Sequence, residues 1–99
     1  MDKYQEMRVF TAVVDAGSFV AAAGALGMSK AAVSRYVSDL EQRLGVRLLH
    51  RTTRRLSLTA EGEVFLARSR EILESPRVLR RLQALREWSH GQQSNQIFT

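Results

Sequence analysis

The residues of this chain best suited to molecular chemistry lie between Ser29 and Leu44, in the stretch SKAAVSRYVSDLEQRL. Ser29, Lys30, Ala31, Ser34 and Arg35 fall at its start. Two hydroxyls, an ammonium and a guanidinium at this spacing suit hydrogen bonding rather than bond making. Small residues let a helix approach base edges closely, and Arg35 can fork onto a guanine or a phosphate. The rest of the stretch supports a helix. Val33, Val37, Leu40 and Leu44 recur at the spacing of one helical face. Ser29 offers an N-cap oxygen and Gly45 a left-handed stop. A recognition helix of a helix-turn-helix protein has this pattern.

Bond-making chemistry finds no comparable set. The chain has no cysteine, which excludes disulfides, thiolate metal sites and a cysteine nucleophile. His50 and His90 are distant in sequence. Asp39 and Glu41 point to different sides of a helix, and Glu61 and Glu63 are poor partners at a two-residue interval. The six glycines are scattered at turns and helix ends, so no phosphate-cradling loop is present. His50 reads as a backbone contact or strand-end residue, and Trp88 as a packing residue rather than a cofactor platform. No catalytic residue, metal ligand or cofactor is expected, and the chain does not read as an enzyme.

The elements that position the Ser29–Leu44 stretch can be followed along the chain. Ninety-nine residues make one small domain with an appended helix, and dimerisation would help so modest a core. Residues 1–16 read as a helix with Tyr4, Met7, Phe10, Val13 and Val14 as its buried stripe. Gly17 ends it, and Ser18 caps a second helix over residues 19–26, whose alanines (21, 22, 23 and 25) permit close packing. Gly27 and Met28 form the turn before Ser29. Short helix, glycine-containing turn and longer helix make the helix-turn-helix order, which an ordinary three-helix bundle also shares.

Val46–Leu49 and Leu56–Leu58 read as two short strands around a basic turn, a β-hairpin wing resting on the helices through Leu48, Leu49, Leu56 and Leu58. Its tip would carry Arg54 and Arg55 outward, where arginines reach phosphates or a narrow minor groove; a solvated basic loop is the plainer alternative. Thr59 caps a fourth helix, with Glu61 and Glu63 suited to its positive end. Phe65, Ile72 and Leu79 are spaced by seven, which fits either a coiled-coil seam or a helix packed on its own domain. Pro76, preceded by Ser75, predicts a kink or a restart. The second piece then carries Val78, Leu79, Leu82, Leu85 and Trp88 as apolar positions, and the tail from His90 is polar and expected to be disordered.

The formal charge is +5 and the isoelectric point about 10.7. That favours an anionic partner, nucleic acid ahead of a membrane surface, although many soluble domains carry as much. The distribution says more. Residues 1–60 hold nine Lys/Arg against five Asp/Glu, and residues 61–99 six against five. From Gln42 to Ala60 stand Arg43, Arg47, Arg51, Arg54 and Arg55 with no acid. No basic region followed by an apolar run opens the chain, and no stretch approaches a membrane span, so a cytoplasmic location is expected. Arginines 77, 80, 81 and 86 alternate with leucines. Those leucines suit a dimer interface as well as a membrane surface, and no membrane partner is expected.

Several motifs occur together in order: AGSF at 16–19, S-x-x-A-V-S-R from Ser29, L-E-x-x-L-G-V-x-L from Leu40 and R-T-x-R-x-L-x-L-T-x-x-G from Arg51. Over residues 1–74 the chain resembles the DNA-binding domain of LysR-type transcriptional regulators. The resemblance implies a mainly α fold: a winged helix-turn-helix of three helices and a two-stranded wing over residues 1–58, then a linker helix over 59–89 and the tail. It implies double-stranded DNA as partner, helix three in the major groove, the wing in the flanking minor groove, and a homodimer through the linker helix. Carried over position by position, Ser29, Lys30, Ala31, Ser34 and Arg35 face DNA and Arg54 is the wing contact, with Ser18 and Thr52 at the backbone. Arg54, Arg51 and the helix N-termini would hold phosphates. Lys30 and Ala31 stand where the family often has Gln-Pro. The family pattern also continues into an α/β effector-binding domain, whereas this sequence stops at Thr99, so no small-molecule effector is expected on this chain. The main expectation is a sequence-specific dimeric regulator; the alternative is a protein-interaction module that heterodimerises with full-length relatives.

Overall fold

A computed structural model describes residues 2–51, 55–77 and 79–87. Four helices and a two-stranded sheet are bounded within them: α1 (Lys3–Ala16), α2 (Phe19–Leu26), α3 (Lys30–Leu44), β1 (Leu49–His50), β2 (Ser57–Leu58) and α4 (Ala60–Leu73). Residues 76–77 and 79–87 are helical as well. The fold is the expected mainly helical winged helix-turn-helix.

Each helix start is built by a side-chain cap. Asp2, Ser18, Ser29 and Thr59 accept from the backbone N–H groups of Tyr4, Ala21, Ala32 and Gly62 respectively, each worth about 1 kcal/mol. The cap at Asp2 moves the start of α1 from the expected residue 1 to Lys3, because a capping residue is itself extended. Between α2 and α3, Gly27 takes φ 66°, a left-handed conformation that costs a side chain strain. The Met28 N–H returns to the Ala23 carbonyl at 3.0 Å, closing the turn.

The core draws Val9, Phe10 and Val13 from α1, Ala22 and Ala23 from α2, Val33, Val37 and Leu40 from α3, and Leu48 and Leu49 from the approach to the wing. Of the expected positions, Tyr4, Met7 and Val14 are only half-buried and Leu44 is exposed, while Val9 lies at the centre of the core. Two carboxylates also lie inside, Glu6 and Glu41. The Arg43 guanidinium holds Glu6 with two bonds, Nη2 to Oε1 at 2.9 Å and Nε to Oε2 at 3.3 Å, and so ties α3 to α1.

The wing is shorter than its apolar runs suggest. Its strands pair antiparallel with Leu49 opposite Leu58 and His50 opposite Ser57. The Leu48 N–H goes to the Glu41 carboxylate at 2.7 Å, and Val46 is exposed, so residues 46–48 serve as a tie to α3 rather than as strand. Leu56 and Leu58 pack against the core as expected. The expected wing residues Thr52, Thr53 and Arg54 lie outside the described residues, as do Val78, Trp88 and the tail.

α4 packs against α1. Phe65 meets Phe10 edge-on, with ring centroids 5.3 Å apart, so of the two alternatives the first of the heptad-spaced residues takes packing on its own domain. The helix ends at Leu73 with Glu74 as its C-cap, and the Leu79 N–H bonds the Ser75 carbonyl at 2.9 Å. Pro76 therefore stands at the first position of a new helical segment. There its missing N–H costs nothing, and a restart rather than a kink is the outcome.

Candidate nucleic-acid interface

α3 has one buried and one open face. Val33, Val37 and Leu40 fill the core, and the 3.6-residue period turns the opposite side outward. Ser29, Lys30, Ala31 and Arg35 are exposed and Ser34 half-buried. The Ser29 hydroxyl accepts from the Ala32 N–H at 3.1 Å, so as a cap it is already committed through one lone pair. The open face runs further than the sequence reading took it. Ser38 and Gln42 are exposed too, and their spacing from Ala31, Ser34 and Arg35 continues the same stripe. Period alone carried that signal.

The structure joins elements that are distant in sequence. Ser18 and Phe19 from the start of α2, Lys30 from the start of α3, and His50, Arg51 and Leu56 from the wing line one shallow groove of about 330 Å³. Of the expected contacts, Ser18, Lys30 and Arg51 thus meet at one place, beside the exposed first turns of α3. Two helix N-termini add their partial positive charge there. This arrangement suits hydrogen bonding to an anionic, ridged surface.

Arg51 is held from beneath. Its Nη2 donates to Glu41 Oε1 at 2.5 Å, and its guanidinium lies 5.6 Å from the centre of the Phe19 ring. The sequence offers Glu41 no catalytic partner, and its burial emerges in the structure. The signal was available: Glu41 falls four residues after Val37 and next to Leu40, on the apolar face. Glu6 likewise falls on the face of Val9, Phe10 and Val13. A carboxylate at an apolar position implies a buried partner.

The base of the wing is anchored on its other side by Thr59. Its hydroxyl donates to the Arg47 carbonyl at 2.6 Å and accepts from the Gly62 N–H at 2.9 Å. Its own N–H bonds the Leu48 carbonyl at 3.1 Å. One threonine caps α4 and fastens it to the chain entering the wing. Among the described residues no group of three or more His, Cys, Asp or Glu could hold a metal ion, and no helix is long and apolar enough to cross a membrane.

Known proteins share this architecture. The family described as bacterial regulatory helix-turn-helix protein, lysR family, matches residues 4–63. An HTH-type transcriptional repressor of Pseudomonas aeruginosa (strain UCBPP-PA14) is 57% identical over 74 residues, which are 75% of this chain and 23% of that protein. The HTH-type transcriptional regulator CrgA of Neisseria meningitidis serogroup C (strain 8013) is 53% identical over 70 residues, 71% of this chain and 23% of CrgA. The chain thus spans about a quarter of the length of these relatives. Among solved structures, the CbnR DNA-binding domain in complex with DNA superposes with a TM-score of 0.72 at 39% identity, covering 85% of this chain and 98% of that one. The BenM DNA-binding domain with catB site 1 DNA gives 0.76 at 30% identity, covering 89% and 97%. Sixty matched residues that include the helix-turn-helix and the wing, on a fold shared with these domains, mean that the chain belongs to the lysR family of bacterial regulatory helix-turn-helix proteins.

Proposed function

We propose that the chain binds duplex DNA sequence-specifically and regulates transcription in the bacterial cytoplasm, acting as a dimer. The carrying observation is the open row at the start of α3, with Lys30, Ala31 and Arg35 exposed and Ser34 half-buried, next to a groove that gathers Ser18, Lys30 and Arg51. Helix α3 enters the major groove. Its small residues allow close approach, while Lys30 and Arg35 read bases. Ser18, Ser29, Arg51 and the N-terminus of α2 hold phosphates. By the motif it completes, Arg54 reaches the minor groove from the wing and Thr52 the backbone. The DNA complexes of the BenM and CbnR domains support this docking. The exposed Leu79 and Leu85, in the helical segment after Pro76, support pairing of two chains there.

Selection from random duplexes at near-physiological salt tests the reading, and an enriched inverted repeat bound by a dimer is the expected result. On that operator, Arg35→Ala lowers affinity by about 1–3 kcal/mol and relaxes base preference, whereas Arg54→Ala weakens binding with little change in major-groove preference. Equal loss on operator and random DNA for Arg35→Ala would contradict base reading.

A further inference from the structure

Glu41 sits on the inner face of α3, 6% exposed, and bonds to several parts of the proposed interface. Oε2 accepts from the backbone N–H groups of Leu48 at 2.7 Å and Leu49 at 3.3 Å. Oε1 takes Arg51 Nη2, with Arg47 Nη1 at 3.8 Å. Arg51 in turn lies over Phe19, the residue after Ser18. One carboxylate thus connects α3, the entry to the wing and the start of α2.

We propose that Glu41 is a positioning residue of the DNA interface, holding the wing and the Arg51 guanidinium in fixed register with the open face of α3. The proposal rests on the DNA-binding reading above. An apolar side chain at position 41 would fill the same space but leave the Leu48 and Leu49 amides without this acceptor. A buried ion pair adds little net stability over well-packed apolar side chains, because desolvation offsets the attraction. What this pair supplies is geometry. A guanidinium has five N–H donors in a rigid fork. With Nη2 on Glu41 and the side chain 30% exposed, Arg51 keeps further donors for the groove it shares with Ser18 and Lys30. Glu41 then aims Arg51 at a phosphate as an outer carboxylate aims a metal-binding histidine.

The absence of cysteine permits a clean distance measurement. Spin labels at Ser38→Cys on α3 and Ser57→Cys on β2, both exposed positions, report how the wing sits on the helix. Affinity is measured separately on chains without labels. Glu41→Gln keeps an acceptor oxygen and removes the charge. The expected result is unchanged helicity, a broadened α3–wing distance distribution, and operator binding by the folded chain about tenfold weaker, the order of one lost base contact. Arg51→Ala gives a similar loss, and the double variant is no weaker than the worse single one. A lower melting temperature with unchanged distances and unchanged folded-state affinity would overturn the proposal, leaving Glu41 a merely structural residue. Fully additive losses would overturn it too. Should Glu41→Gln fail to fold, Arg51→Ala is read by the same two measurements. If the wild-type chain selects no operator, the DNA-binding reading fails, while the label distances still decide whether Glu41 holds the wing.

Discussion

Gly62 shows how much one residue can fix. It lies in the first turn of α4 and is buried. A Cβ there would overlap the Leu48 carbonyl oxygen and press the Leu58 side chain at 3.2 Å. The obstacle is backbone, itself held by Thr59 and Glu41, so it cannot yield cheaply. Gly62→Ala is expected to destabilise the chain by about 3 kcal/mol, the upper range for overpacking a tight core. Urea denaturation followed by circular dichroism measures it, and a loss below about 0.5 kcal/mol, the size of an ordinary surface change, would show that the contact is soft. Position 62 was legible as part of the T-x-x-G motif. The reason for glycine was not, because Leu48 is fourteen residues away and only folding brings its carbonyl there.

Among the elements, α4 has the most to settle. Its sequence fitted both a coiled-coil seam and a helix packed on its own domain, since Phe65, Ile72 and Leu79 satisfy either pattern. Packing decides for Phe65: its edge meets Phe10, and Leu66 beside it also packs on the core. Truncation by Phe65→Ala should cost about 2 kcal/mol, below the roughly 3–5 kcal/mol of a fully buried ring because Phe65 is only half-buried. Thermal melts of the two chains give the comparison, and an unchanged midpoint would mean that α4 is not anchored there. The wing behaves differently. Its existence was legible from alternating leucines around basic residues, but not its length, since an apolar run cannot reveal that the Leu48 and Leu49 N–H groups are taken by a side chain of α3.

At the scale of the whole molecule, burial and exposure divide the chain. Apolar side chains of α1, α2 and α3 close one core, while Leu79 and Leu85, beyond the Pro76 restart, stay 50% and 63% exposed. Apolar surface left in water favours association, at roughly 25 cal/mol per Å² covered. The proposed dimer then has a specific test. Leu79→Glu combined with Leu85→Glu should convert it to a monomer in sedimentation velocity without altering the melting of the winged domain, and should weaken operator binding by removing the second half-site. A variant that stays dimeric would move the interface elsewhere. Association with the operator should also weaken steeply with salt, as expected when Lys and Arg displace counterions from phosphates.

Features governed by local rules were readable from the order of residues. Capping side chains at Ser18, Ser29 and Thr59, the stops at Gly17 and Gly45, the apolar period of α3 and the ordered motifs were enough for the helices, the wing and the family, because each depends on residues a few positions apart. Tertiary structure alone decided what joins distant residues. It placed Ser18, Lys30 and Arg51 around one groove, turned Phe65 inward, and gave Glu6 and Glu41 their arginines. A charge run between residues 42 and 60 reads as uniformly available to a partner. Folding divides it, because burial at Glu6 and Glu41 demands compensation: Arg43, itself exposed, is committed to the buried Glu6 carboxylate, and Arg51 is held by Glu41 at the edge of the proposed DNA-binding surface.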